Sequence, residues 1–255
     1  MIDALPYPID FAAELTRDLW ARIRAGEVTG ARPRKAATLM IVDQSGREPK
    51  VLMGKRNTSH KFMPGRFVFP GGRVEAGDRQ MAAAGALDDA TEASLMACLR
   101  RPTTSGARAI ALAAIRETFE ETGLLIGDAD CGAPENPPAG AWAEFAGHGV
   151  FPGLENIHFI GRAVTPPRNR LRFDTFFLAA DATGIARRVE GKVGPDLELV
   201  ELAWATIPEA LEIGAVAITR VMLRELANRL AQNMNRRLKV PVYATGRSGW
   251  TRLEA

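Results

Sequence analysis

Apolar residues recur every four positions near both ends of the chain and form short runs between them. The four-residue spacing predicts amphipathic helices over about 10–25 and 217–231, because residues four apart share one helix face. The short runs predict β-strands, of which the first two form a hairpin. These predicted strands cover residues 36–42, 51–53, 66–69, 158–164, 173–179 and 197–203.

The segments between the predicted strands are rich in helix formers. Residues 78–102 predict one or two short helices, and residues 107–122, which Gly123 follows, predict a longer helix. Residues 128–153 predict a long loop with a short helix near 142–146, and residues 208–213 predict another helix. Strands that flank helices in this way favour an α/β fold with a mixed sheet and helices on both faces. We expect residues 1–255 to form one domain.

The amino-acid composition is typical of a globular protein without a membrane span. The chain has 255 residues, of which 46% are hydrophobic and 25% are charged, as in ordinary globular proteins. No stretch reaches the 18 or more apolar residues that a membrane span needs, and residues 1–10 do not resemble a secretion signal. The sequence therefore predicts a soluble cytoplasmic protein that does not bind membranes.

The net charge and the cysteine content argue against a nucleic-acid-binding protein and against a fold held by zinc or disulfides. The 33 Lys and Arg residues against 30 Asp and Glu residues leave a net charge of +3, too small to indicate nucleic-acid binding. Three short basic clusters suit solvated surface and are also compatible with a polyanionic small molecule. They are Arg32/Arg34/Lys35, Arg168/Arg170/Arg172 and Arg236/Arg237/Lys239. Cys98 and Cys131 lack metal-ligand spacing, which argues against a zinc ribbon or a disulfide scaffold.

Three acidic residues in the long predicted helix are candidates for chemistry. Glu117, Glu120 and Glu121 stand at i, i+3 and i+4, so their carboxylates share one helix face. Clustered carboxylate oxygens suit hard divalent cations such as Mg²⁺ or Mn²⁺. Arg116 is placed to neutralise or orient one of them. The alternative is a solvated acidic helix face without a ligand.

The residues around these glutamates resemble the Nudix box of the Nudix hydrolase superfamily, G-x5-E-x7-R-E-U-x-E-E-x-G-U, where U is a bulky aliphatic residue. Residues 116–124 match its second half, with Thr118 replacing the first U. Residues 72–78 match its first half, with Asp78 in place of glutamate. The box spacing would put the arginine at position 86, and it stands at position 116, which is 30 residues further along. We therefore interpret residues 79–106 as a helical insertion inside the box, acting as a lid or a dimer contact.

The resemblance covers about residues 36–212 and implies a Nudix-type α/β/α sandwich, with helical additions at both termini. It implies an enzyme that hydrolyses a nucleoside diphosphate linked to another group, with Mg²⁺ or Mn²⁺ as cofactor. Glu117, Glu120 and Glu121, together with the carbonyl of Gly71, would hold the metal, and Arg116 would belong to the catalytic group. The general base would be a box glutamate or an acid outside the box. The candidates outside the box are Glu75, Asp174 and Glu201.

Residues 56–72 are similar to the R-S-x3-R-x3-G-x3-F-P-G-G signature of coenzyme A diphosphatases, with Asn57 for serine and Lys61 for arginine. This similarity implies cleavage of coenzyme A or an acyl-CoA to 3′,5′-ADP and a phosphopantetheine. The expected substrate-binding residues are Arg56, Lys61, Arg66, Phe69 and Arg73, with Phe67 as a second candidate ring. The alternatives are cleavage of ADP-ribose, NADH or another dinucleotide, and a sensor that binds a nucleotide without cleaving it. The partner would be a small nucleotide, and a homodimer is left open.

Overall fold

The structure is a computed structural model that describes residues 32–59, 63–166, 171–213, 215–246 and 249–255. The predicted N-terminal helix over 10–25 and the predicted substrate-binding residue Lys61 lie outside these residues. The helices are α1 (Ala76–Gln80), α2 (Asp89–Ala97), α3 (Thr104–Thr122), α4 (Ala141–Gly147), α5 (Ile207–Glu212) and α6 (Ala217–Leu230). In the described ranges, no helix is both long and apolar enough to cross a membrane.

A mixed sheet runs through the centre of the described part of the chain. Its order is β10 (Leu199–Thr206), β2 (Lys50–Arg56), β1 (Arg34–Asp43), β8 (Phe173–Asp181), β7 (His158–Val164), β11 (Pro241–Gly246) and β12 (Gly249–Glu254). The short strands β3 (Phe67–Val68) and β4 (Gly71–Arg73) pair with β2 and β1. The β1–β8 and β7–β11 pairs are parallel, and the other pairs are antiparallel. The predicted mixed sheet is therefore confirmed.

Two apolar cores cover the two faces of this sheet. Alternate residues of β1 divide between them, since successive side chains of a strand point to opposite faces. Leu39 and Ile41 pack in the core that contains the buried side of α3, and Met40 and Val42 pack in the core that contains α6. This arrangement confirms the prediction of an α/β fold with helices on both faces of a mixed sheet.

Helix α3 carries the candidate acidic residues, and its ends are well defined. The Thr103 hydroxyl accepts a hydrogen bond from the Gly106 amide at 3.0 Å, which caps the N-terminus. Gly123 ends the helix at a φ of 75°, where a side chain would also meet the Val189 carbonyl oxygen at 2.0 Å. The glycine thus turns the chain sharply from α3 into β5 (Leu124–Asp128).

Several predicted elements are confirmed and others were missed. The hairpin, the strands near 158–164 and 173–179, and the helices near 142–146 and 217–231 are all present. Sequence reasoning missed the small sheet of β5, β6 (Phe151–Pro152) and β9 (Ile185–Arg188), and also the β11–β12 hairpin. Strands β5, β6 and β9 have five, two and four residues, too few for a clear alternating pattern. Residues 79–106 contain the end of α1, all of α2 and the first turn of α3.

Candidate active site

A buried ion pair joins two segments that lie far apart in the sequence. Arg116 on α3 donates from Nε to Asp78 Oδ1 at 2.8 Å and from Nη2 to Oδ2 at 3.2 Å. The two residues are 4% and 0% exposed, so the pair is shielded from water. The glycine-rich turn and the acidic helix therefore meet in space despite the residues between them.

Asp78 has further donors around its carboxylate. The indole of Trp142, on α4, donates to Oδ1 at 2.9 Å, and the backbone amide of Glu75 donates to Oδ2 at 2.7 Å. The last contact is part of a capping box at the start of α1. Asp78 is thus a fully bonded carboxylate that fixes α1, α3 and α4 relative to one another.

The remaining donors of Arg116 orient the acidic residues next to it. Nη1 donates to Glu117 Oε1 at 2.9 Å and also to Glu120 Oε2. Nη2 donates to the carbonyl oxygen of Arg73, the last residue of β4, at 2.7 Å. Arg116 therefore connects the acidic face of α3 to the strand that follows the two glycines.

Gly71 and Gly72 lie directly against the other side of the acidic face. Gly71 donates its amide to Glu121 Oε2 at 3.2 Å. A Cβ atom on Gly72 would lie 2.5 Å from the carboxyl group of Glu117, closer than real Cβ atoms approach. Glycine at 72 is therefore required for strand and carboxylate to pack at this distance.

Burial leaves these carboxylates with a raised affinity for protons. Burial raises the pKa of Glu117 to about 7, although the adjacent Arg116 opposes the shift. Burial also raises the pKa of Glu121 well above its usual range, and the charges of Glu198 and Glu117 raise it further. The site therefore holds buried acidic groups whose negative charge is incompletely compensated by the protein.

Glu198, which precedes β10, is a site residue that sequence reasoning missed. Its Oε1 forms an ion pair with Arg56 Nη2 at the end of β2. The Asn57 side chain holds the loop before Glu198 by donating to the carbonyl oxygens of Pro195 and Leu197, at 2.6 and 3.2 Å. No sequence motif surrounds Glu198, and only the pairing of β10 with β2 brings it to the acidic residues.

The donor chemistry of this site fits a hard divalent cation. Carboxylate oxygens are the preferred ligands of Mg²⁺ and Mn²⁺, and such an ion would supply the positive charge that Glu117 and Glu121 lack. The side chains do not converge on one point, because Arg116 binds Glu117 and Glu120 while Glu121 turns toward Gly71. Within the described ranges, no group of three or more His, Cys, Asp or Glu side chains is arranged to hold a metal ion.

Comparisons with known proteins agree with this geometry. A crystal structure of a NUDIX hydrolase from Alicyclobacillus acidocaldarius is 27% identical, with a TM-score of 0.56 over 77% of this chain and 91% of that chain. A curated Caenorhabditis elegans protein, provisionally named nudix hydrolase 7, is 37% identical over 100 residues. That match covers 39% of this chain and 24% of the relative, so it spans about a quarter of the relative's length. No protein-family model matches the chain.

The chain is therefore similar to Nudix hydrolases in sequence and in fold. In Nudix-box terms, Asp78 stands at the first acidic position and Arg116 at the arginine position, and the two form the buried ion pair. The displaced second half of the box therefore lies beside its first half. Whether residues 79–106 are an insertion relative to other Nudix proteins stays a prediction.

The predicted substrate residues have different environments. Arg66 and Arg73 are exposed, and Arg56 lies at the acidic site through its pair with Glu198. Phe69 is 5% exposed and packs in the core on the α6 side, which argues against its predicted contact with substrate. Phe67 is half-buried, with the Lys55 ammonium 6.0 Å from its ring centre. Phe67 is therefore the better candidate ring.

The candidate bases outside the box are engaged elsewhere. Asp174 accepts two hydrogen bonds from Arg162, at 2.6 and 2.8 Å. Glu75 begins α1 as its N-cap residue. Glu201, whose side chain on β10 is exposed, lies 3.8 Å from the Lys55 ammonium on β2. Glu198, by contrast, pairs with Arg56, and its charge acts on Glu117 and Glu121.

Proposed function

We propose that this protein is a divalent-metal-dependent pyrophosphohydrolase that cleaves a nucleoside diphosphate linked to another group. The observation that carries the proposal is the contact of half-buried Glu117 and buried Glu121 with the backbone of Gly71 and Gly72. The similarity to Nudix hydrolases supports the same reaction class. We take Glu117, Glu120 and Glu121 to hold Mg²⁺ or Mn²⁺, with the Gly71 carbonyl as an additional ligand.

A bound divalent cation would neutralise the phosphate oxygens and lower the pKa of a water molecule. The protein's own groups position the reactants. Arg116 fixes the orientation of Glu117 and Glu120 through Nη1, and Arg56 presents its guanidinium group near Glu121 to hold a phosphate. We therefore propose that the phosphoanhydride binds between the acidic helix and the glycine turn.

Glu198 is our candidate for the general base. Its charge raises the pKa of Glu117 and Glu121, and its side chain is 38% exposed, so a water molecule can reach it. The water oxygen forms a bond to phosphorus, the anhydride P–O bond breaks, and the departing group leaves as a phosphate. Glu198 Oε2, which the Arg56 pair leaves available, accepts the proton from the water.

We propose coenzyme A or an acyl-CoA as the substrate. The support is the coenzyme A diphosphatase-like signature, of which Arg56 lies at the acidic site and Asn57 holds the loop of Glu198. The reaction would release 3′,5′-ADP and a phosphopantetheine. Cytoplasmic localisation and the choice between Mg²⁺ and Mn²⁺ stay predictions.

The test is chromatography of phosphate-containing products after incubation with each metal. The substrates are coenzyme A, an acyl-CoA, ADP-ribose, NADH and a diadenosine polyphosphate. We expect 3′,5′-ADP from coenzyme A with wild type and with Glu48→Gln, an exposed acid in the turn between β1 and β2, but not with Glu121→Gln. Release of AMP from another compound, in place of 3′,5′-ADP from coenzyme A, would overturn the proposed substrate. Saturable binding without any product would favour a nucleotide sensor.

A further inference from the structure

A second group of charged residues lies at the same end of the sheet as the acidic site. Lys35 on β1 pairs in register with Asp174 on β8, and Asp174 is bound twice by Arg162 from β7. Lys35 stands two residues before Ala37, and Asp174 stands two residues before Phe176. Ala37 and Phe176 both belong to the core beneath α3, so Lys35 and Asp174 lie on the α3 face of the sheet.

Positive charge exceeds negative charge in this group. Partial burial lowers the pKa of Lys35, and although Asp174 opposes this, the nearby charges of Arg79 and Arg162 lower it further. Asp174 already accepts both hydrogen bonds from Arg162. In the parts of the chain that the structure describes, the side chains of Lys35 and Arg79 make neither a hydrogen bond nor an ion pair. Three cations therefore share one carboxylate.

In this group one side chain, that of Arg162, is held in place, and the other two are exposed. The Arg162 guanidinium lies 5.4 Å from the centre of the Phe176 ring, and its side chain is only 22% exposed. Its ion pair and its ring contact together hold it in place. Lys35 and Arg79 are exposed, so both can close on a ligand from the surface.

This group lies close to the place proposed for the phosphoanhydride. Gly72, which packs against Glu117, pairs with Ala37 on β1. Lys35 is two residues from Ala37 along the same strand, a separation of about 7 Å. The amide of Val74 also donates to the Lys35 carbonyl oxygen at 3.0 Å, which fixes β1 to the glycine turn. A nucleotide that places its anhydride at Glu117 can therefore reach Lys35 with another substituent.

We propose that Lys35, Arg79 and Arg162 form a subsite for a phosphomonoester that the substrate carries in addition to the phosphoanhydride. The proposal rests on the proposed function for the position of the anhydride. A dianionic phosphate supplies the missing negative charge, and it accepts hydrogen bonds from ammonium and guanidinium groups together. The subsite would favour nucleotides with a ribose phosphate over those without one. Arg79, in the segment 79–106, would then contribute to specificity.

Calorimetric binding of small nucleotides tests the subsite without requiring turnover. The probes are 5′-AMP, 3′,5′-ADP and 2′,5′-ADP, where the last two carry one added ribose phosphate. We expect wild type to bind at least one of these two more tightly than 5′-AMP. Lys35→Ala and Arg79→Ala should each reduce that preference about tenfold, the usual effect of losing a hydrogen bond to a charged group.

Matched control variants lie at the other end of the β1–β2 hairpin. Lys50→Ala and Arg47→Ala remove the same charges from exposed positions there, and both should keep the wild-type preference. Equal binding of all three probes by wild type would overturn the subsite. An equal loss of affinity for 5′-AMP and the bisphosphates in Lys35→Ala and Arg79→Ala would also overturn it, since it would indicate general charge attraction.

The hydrolysis panel separates failure of the subsite from failure of the proposed function. If wild type hydrolyses pyrophosphate compounds but shows no preference for an added ribose phosphate, only the subsite is overturned. If wild type prefers the added phosphate and the variants lose that preference while nothing is hydrolysed, the subsite is supported and the proposed function fails. Equal kcat/KM for coenzyme A and dephospho-coenzyme A in wild type would also count against the subsite.

Discussion

Two groups of charged residues meet at helix α3, and they differ in how their charges are balanced. The first is the ion pair of Arg116 with Asp78, and the second is the set of glutamates that begins at the next residue, Glu117. Arg116 and Asp78 meet at 2.8 and 3.2 Å, and Trp142 and a backbone amide complete the bonding of Asp78. Glu117 shares Arg116 with Glu120, and Glu121 receives one long hydrogen bond from Gly71.

This difference indicates that the ion pair stabilises the fold and that the glutamates take part in the reaction. A buried ion pair with all its hydrogen bonds made holds elements together, and removing one partner leaves the other charge exposed to a low-dielectric interior. Buried carboxylates without enough counter-charge instead keep capacity for a cation or a proton. We therefore expect substitutions in the two groups to affect different properties, stability in the first and activity in the second.

Asp78→Ala should have the largest effect. It leaves Arg116 buried without its main partner, and loss of one member of a buried pair costs about 3 to 5 kcal/mol of unfolding free energy. Denaturant unfolding monitored by circular dichroism measures this. The exposed residue Asp196 provides the control, since Asp196→Ala should change the free energy by less than about 0.5 kcal/mol. Equal stability of Asp78→Ala and wild type would contradict a structural role for the pair.

Glu121→Gln should separate activity from stability. We expect kcat to fall by about a hundredfold to a thousandfold, comparable to losing one charge-stabilising group in an active site. The unfolding free energy without divalent ions should not fall, because glutamine keeps an acceptor for the Gly71 amide and removes a buried charge. Wild-type turnover, or marked destabilisation with normal turnover, would reverse the roles we assign to the two groups.

The pH dependence of the unfolding free energy tests the raised pKa of Glu117. Its pKa rises from 4.5 to about 7 in the folded protein, so the folded state favours its protonated form. That contribution to stability is complete below pH 4.5 and is lost as the pH rises through about 7. Without divalent ions, wild type should lose up to about 3 kcal/mol relative to Glu117→Gln over this range. Parallel pH profiles of the two proteins would contradict the shift.

Two glycine substitutions should produce smaller and contrasting effects. In Gly72→Ala, the atoms nearest the added Cβ would be the carboxyl group of Glu117 at 2.5 Å, so that carboxylate must move. We expect kcat to fall about tenfold with little change in stability, because displacing a catalytic group by about 1 Å is costly. Kinetic and unfolding measurements on the same preparation test this.

Gly123→Ala is the counterpart of this substitution. The positive φ and the Val189 carbonyl oxygen make the added Cβ unfavourable for the backbone, so unfolding free energy should fall by about 1 kcal/mol or more. A normal kcat in Gly72→Ala, or an unchanged unfolding free energy in Gly123→Ala, would show that the chain accommodates these side chains.

The sequence predicted α3 and its end well because the signals there are local. Helix formers run up to Gly123, and the glycine permits the left-handed turn that stops the helix. The Nudix-like pattern also indicated Arg116 and the three glutamates as candidate site residues, because they stand close together in the sequence. The missed β11–β12 hairpin had no comparable signal, since its place in the sheet depends on pairing with β7, far away in the sequence.

The composition and residue pattern by themselves determined the α/β class, the acidic face of α3 and its resemblance to a Nudix box. Only the tertiary structure decided that Asp78 reaches Arg116, that Glu198 joins the acidic residues and that Phe69 is buried in the core. The physical reason is the range of the interactions. Helix propensity and capping act within a few residues, whereas burial and charge balance depend on strands and helices that meet only after folding.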